Sequence, residues 1–177
     1  MPIKMPEPLQ LGSHSSSTMG AILIQKSDFD PKFDNPAGLR TVMGFPVPEW
    51  QRPLVWSEEQ KTRFIESIWL GMPLGTYTIN RSGLGDPVDH ILIDGQQRLS
   101  AIEAYLGDEL EVFGAKWSEV DIIDRRAFKS RKFARYETQS DDVNFLKNYY
   151  NLMNFGGTAH LAEERAEIDD DRGMEPG

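Results

Sequence analysis

Five residues, Asp94-Gly95-Gln96-Gln97-Arg98, separate an apolar run, HILI (90–93), from a run with helical spacing, LSAIEAYL (99–106). An acid, a glycine, two amides and an arginine at a strand-to-helix turn suit one kind of chemistry, the holding of a phosphate. The first turn of a helix leaves about four backbone N–H groups without intrahelical partners, and they carry partial positive charge. If the helix starts at Gly95 or Gln96, the free amides of residues 95–98 point out of the turn. Gly95 then admits a close approach to the backbone, and Arg98 adds a fork matched to phosphate oxygens. Gln96 and Gln97 both donate and accept, which suits a ribose, a base edge or a water. A structural alternative uses the same residues. In it Asp94 caps the helix, Arg98 serves an internal carboxylate, and the glutamines are ordinary first-turn residues. Spacing alone leaves both open. No GxxxxGK loop is present, and the GLG at 83–85 sits in a turn between strands, so neither common nucleotide fingerprint applies.

A second stretch with chemical potential is PEWQRPLVW (48–56). Trp50, Gln51 and Arg52 lie between two prolines that stiffen the backbone. An aromatic plane can stack a base, while Gln and Arg read base edges and phosphates. The alternative places Trp50 and Trp56 in the core, and Trp56, just before a helix cap, fits that better. A third is DRRAFKSRKFAR, in which Arg125, Arg126, Lys129, Arg131, Lys132 and Arg135 crowd together as candidate nucleic-acid contacts. Its counterweight is the last 17 residues, with seven acids against two bases in a chain of net charge −9. Such a pair is either a self-masking polyanion site or two solvated faces.

Composition narrows the field. The chain has 177 residues, enough for one domain with a real core. Without cysteine there are no disulfides, thiolate nucleophiles or cysteine-zinc sites. No apolar run is long enough to span a bilayer and no signal peptide is evident, so a cytoplasmic location is expected.

The elements that must position these residues follow from periodicity and breakers. Residues 1–20, including GSHSSST, read as a flexible arm. AILIQ (21–25) reads as a short strand, and SDFDPKFDNPAGLR as loop. Pro46, Pro48 and Pro53 keep the next segment extended and edge-like. Ser57 and Gln60 form a capping box for a helix whose apolar face is Phe64, Ile65, Ile68 and Trp69, stopped at Gly71. TYTIN (76–80) and HILI form a hairpin. The helix after the turn shows Leu99, Ile102 and Tyr105 or Leu106 on one face and stops at Gly107. ELEVF (109–113) is a further strand candidate. A helix over 141–153 is capped by Asp141 and buries Phe145, Leu146, Tyr149, Leu152 and Met153. The sum is a mixed α/β domain over 21–160, with a disordered acidic tail over 161–177.

In that order, VPEWQRPLVW, IWLGMPLGTYTI and ILIDGQQRLSAI resemble the N-terminal domain of GmrS/GmrD-type modification-dependent restriction proteins. The late YYNLMNFGGTAH is similar to that family's Asn-x-Gly-Gly segment. The resemblance implies a small ParB N-terminal/sulfiredoxin-like fold, a short mixed sheet flanked by helices. It also implies nucleoside-triphosphate binding and hydrolysis at Gln51, Arg52 and residues 94–98. By that reading Gly95, Gln96 and Arg98 hold phosphates beside Trp50, and Asp94, Gln97 and Arg98 are catalytic. A magnesium ion would bridge phosphate oxygens, with Asp94 its nearest ligand or the group orienting the water, and Gln97 would position the attacking water. Leu152 stands where the family carries an arginine before its asparagine, here Asn154. The lost contact would fall to Arg125, Arg126 or Arg131. No His-Asn-His nuclease segment is present. A copy of this kind is expected in a phage or mobile element. Two other readings stay open: a ParB-like protein that binds or nicks DNA, and a non-catalytic partner or decoy of a restriction or defence protein.

Overall fold

The computed structural model describes Met5 and residues 10–155. The tail over 161–177 and the GGTAH part of the late segment lie outside them. The described chain is a four-stranded mixed sheet with helices on both faces, plus a two-stranded hairpin. The strands β1 (Ser13–Thr18), β4 (Thr76–Asn80), β5 (Leu92–Asp94) and β6 (Lys132–Thr138) lie in the order β1-β6-β4-β5. β6 runs parallel to β4 and antiparallel to β1, and β4 and β5 form the expected antiparallel pair. The pair is shorter than HILI suggests, because His90 sits at φ 58°, outside the strand.

Strand alternation sorts the core into two layers. Tyr77 and Ile79 of β4, Leu92 of β5 and Phe133 of β6 point to one face. There they meet α1 (Met19–Asp28), α3 (Glu58–Trp69), α4 (Gln96–Leu106) and α5 (Ile122–Ser130). Ile91 and Ile93 point the other way and pack with Leu146, Tyr149 and Tyr150 of α6 (Val143–Phe155). Three short elements, α2 (Pro31–Asp34), β2 (Thr41–Val42) and β3 (Phe45–Pro46), lead into the PEWQRPLVW segment. No helix among the described residues is long and apolar enough to cross a membrane.

Several expectations fail for identifiable reasons. Ser13–Thr18 is the edge strand β1 rather than a flexible arm. It is exposed and polar, so hydrogen bonds to β6, not burial, order it. AILIQ lies inside α1, where Met19 and Ile22, three apart, are the buried pair and Thr18 is the cap. ELEVF contributes only one bridge, Val112 to Ala115. Asp142, not Asp141, caps α6, its Oδ1 accepting from the N–H groups of Asn144 at 2.8 Å and Phe145 at 3.2 Å. Leu152 and Met153 face outward, and Tyr150 takes the buried place instead. The capping box of α3 forms as expected, with both reciprocal bonds present.

Candidate functional site

β5 ends at Asp94, and α4 begins at Gln96. Between them Gly95 adopts φ 98°, and a Cβ there would stand 2.6 Å from the Cβ of Tyr77. The close approach that demands glycine is therefore made by β4. Gly95 occupies the N-cap position, and Asp94 does not cap the helix. Instead Asp94 Oδ2 accepts from Arg98 at 2.8 Å, and the same guanidinium nitrogen donates to the Thr76 carbonyl at 2.5 Å. The ion pair is largely buried on both sides. With no capping side chain, the backbone N–H groups of Gln96, Gln97 and Arg98 have no acceptor among the described residues.

The two glutamines hold the prolyl segment in place. Gln97 Oε1 accepts from the N–H groups of Val55 and Trp56, both at 3.1 Å, and its Nε2 donates to the Pro53 carbonyl at 3.1 Å. Gln96 Nε2 donates to the Arg52 carbonyl at 2.7 Å, and its Oε1 accepts from Arg40 at 2.5 Å. Prolines 48 and 53 keep this segment out of a regular ladder, so buried side-chain amides meet its backbone needs. Gln51 does similar work from the opposite side. It is buried, and its Nε2 donates to the carbonyls of Leu92 and Ile93, while its Oε1 has no described partner. Trp50 lies edge-on to Tyr150, ring centroids 5.3 Å apart, within the α6 layer rather than as an open stacking platform. Trp56 packs edge-on to Phe64 at 5.6 Å and joins the core, as its place before the cap suggests.

These groups enclose a cleft of about 80 Å³. One wall is the turn from Asp94 to Arg98, another is Gln51 and Arg52, and Tyr150 and Asn154 of α6 complete it. Among the described residues, Asp94 is the only acid in the lining, against Arg52 and Arg98. Two contributors were not legible in the sequence. The Tyr150 hydroxyl accepts from the Arg52 N–H at 3.2 Å, and Arg40, 56 residues before Gln96, orients that glutamine. Burial lowers the Arg40 guanidinium somewhat below its ordinary value. No local signal marks either residue, because both reach the cleft only through tertiary packing.

The basic segment does not reach the cleft lining. Arg125 lies over the Trp117 ring at 6.0 Å, Arg131 donates to the Trp69 carbonyl at 3.0 Å, and Arg135 pairs with Glu137 at 3.2 Å. None of the three arginines expected to replace the family contact at Leu152 lines the cleft, and Leu152 itself is 50% exposed.

No group of three or more metal-ligating side chains forms among the described residues. The cleft does offer Asp94 Oδ1, which has no described partner, as a single carboxylate oxygen. That fits magnesium, which commonly takes one or two carboxylates beside substrate phosphates.

No curated protein and no solved structure matches this chain. Residues 36–171 match the model of the GmrSD restriction endonuclease N-terminal domain, a span that takes in the cleft, the segment that walls it and all but the first elements of the fold. The chain belongs to the GmrSD restriction endonuclease N-terminal domain family.

Proposed function

We propose that the cleft at residues 94–98 binds the phosphates of a nucleoside triphosphate within a restriction-related domain. One observation carries the reading: among the described residues, the first-turn amides of Gln96, Gln97 and Arg98 have no acceptor, and they lie at a cleft flanked by Arg52 and Arg98. Unpaired N–H groups at a helix start, backed by guanidinium charge, are a general solution for anions. Size sharpens it. Sites that enclose a whole drug-sized ligand run to roughly 300–1,000 Å³, so about 80 Å³ takes a phosphate end and leaves sugar and base to the open side. Asp94 Oδ1 would hold magnesium together with phosphate oxygens, and the ion would supply charge neutralisation.

Binding is better supported than turnover. A group that orients an attacking water needs a free acceptor, and both Gln97 Oε1 lone pairs are taken by Val55 and Trp56. Charge stabilisation and positioning remain available for hydrolysis. Calorimetry with each common nucleoside triphosphate, with and without magnesium, tests the proposal. Saturable, magnesium-strengthened binding is expected, and a folded protein that binds none of them ends it. Phosphate release is the second readout. Its selective loss in Gln97→Ala, with binding intact, would return the water to Gln97.

A further inference from the structure

At the other end of α4 lies a groove of about 380 Å³, much roomier than the phosphate cleft. Tyr105, fully buried, and Trp69 line its apolar part, the Trp69 indole donating to the Tyr105 hydroxyl at 3.3 Å. Phe113 joins the lining, and Asp121 and Asp124 add two carboxylates. Asp121 spends one oxygen capping α5, at 2.7 Å from the Ile123 N–H. The Asp124 carboxylate has no hydrogen bond or ion pair among the described residues. The segment 108–124 holds six acids and a single base, Lys116. Its adjacent cation, Arg125, is turned onto the Trp117 ring.

Phe113 supplies a second, independent observation. Val112 and Ala115 close a two-residue turn with reciprocal bonds of 3.0 and 3.2 Å, and Phe113 and Gly114 within it have φ 53° and 76°. Two positive φ values in a row are the type I′ geometry, for which Asn-Gly is the favoured pair. A bulky aromatic in the left-handed region is strained. Here it is also 64% exposed, so core packing does not repay the strain. Exposed Ile122 and Ile123 begin α5 directly after Asp121.

We propose that this groove docks a cationic, apolar segment of a second protein. An arginine or lysine head would pair with Asp121 and Asp124, and its alkyl stem would lie over Trp69 and Phe113, the Tyr105 ring forming the floor beneath them. Aromatic rings beside carboxylates suit this kind of side chain, whose stem is apolar and whose tip is charged. Like charge argues against the chain's own 161–177 as the occupant, with its seven acids against two bases.

The test is an amide NMR titration of the full chain with a short synthetic peptide of alternating leucine and arginine, and with its leucine–glutamate counterpart. The arginine peptide should give saturating, salt-sensitive shifts centred on 112–116 and 120–125, and the glutamate peptide none. Phe113→Asn keeps the turn and removes its strain. It should raise the melting temperature while weakening the peptide at least about tenfold, as expected for a central aromatic anchor. Asp121→Asn with Asp124→Asn should also weaken it, with the α5 cap retained because Asn caps as well as Asp. Equal shifts from both peptides, shifts centred elsewhere, or undiminished binding by Phe113→Asn would overturn the proposal. Sedimentation of the chain alone should show no association through this face. A dimer dispersed by Phe113→Asn would assign the groove to a second copy instead.

Discussion

Two polar stretches promise chemistry in the sequence, the turn 94–98 and the basic run 125–135, and the fold treats them oppositely. Residues 94–98 end one strand and begin one helix, so they stay together in space and meet Gln51, Arg52 and Tyr150 in a single cleft. The basic run spans a helix, a connector and a strand. Its charges are shared out to the Trp117 ring, to the C-terminal end of α3 and to Glu137. Adjacency in sequence becomes a site only when one turn of backbone holds it. Across an element boundary the same density of charge is divided among separate neighbours. Of the six cations, only Arg135 has its charge paired with an acid among the described residues, and Arg125 and Arg131 keep theirs against a ring and a backbone carbonyl.

The strongest way to break the cleft while sparing the basic run is Gly95→Ala. A left-handed φ costs a non-glycine residue about 1–2 kcal/mol, and forcing a Cβ to 2.6 Å from Tyr77 adds about 1–3 kcal/mol of overpacking. Chemical denaturation should show a loss of roughly 2–5 kcal/mol. An unchanged midpoint would mean the turn is not held against β4.

Arg98→Ala comes next. It removes the partner of largely buried Asp94 and the bond to the Thr76 carbonyl, so stability should fall by about 1–3 kcal/mol. Nucleotide affinity should fall at least about tenfold, because a charge-assisted contact to phosphate is lost. A double variant with Asp94→Ala separates the two effects: it should recover part of the stability and none of the affinity. Recovery of both would reduce Arg98 to a structural role. On the other side of the comparison, Arg126→Glu with Lys129→Glu should change stability by no more than about 0.5 kcal/mol, since both side chains are exposed. It should leave any affinity for duplex DNA unchanged. A large, salt-dependent loss of DNA binding would restore the basic run as a site.

The legible parts of the molecule were those fixed locally. The capping box of α3, the stripe of α4 and the β4–β5 pair all follow from signals within about twenty residues, and the structure has them. The strands β1 and β6 were missed because neither alternates: β1 is polar throughout, and β6 carries its charges half-buried in the sheet. In the cleft, residues 94–98 form one wall, but their division of labour did not show in the sequence. Both glutamines and the glycine answer to partners 18 to 56 residues away, at Tyr77, Pro53, Arg52 and Arg40. No spacing rule records such partners.

The smallest expected effect tests whether the basic run has a structural role of its own. Asp108 accepts from the Ser118 N–H at 2.8 Å, and this contact, first, holds its carboxyl below the ordinary range, with Lys116 and Arg125 adding positive charge nearby. A carboxyl depressed in the folded state contributes stability that is present above its unfolded value. That contribution is lost as pH falls from near 4 through the folded value. Asp108→Asn should therefore leave stability at neutral pH almost unchanged, because Asn still accepts from Ser118 and tolerates the φ of 61° at this position. It should flatten the acid limb of the stability curve below about pH 4. Arg125→Met should raise the Asp108 carboxyl slightly, by less than Ser118→Pro, which deletes the principal donor. A carboxyl titration followed by NMR reads both. No movement with Arg125→Met would remove the charge coupling between the acidic segment and the basic run, and a larger movement than with Ser118→Pro would show that charge, not the hydrogen bond, sets this group.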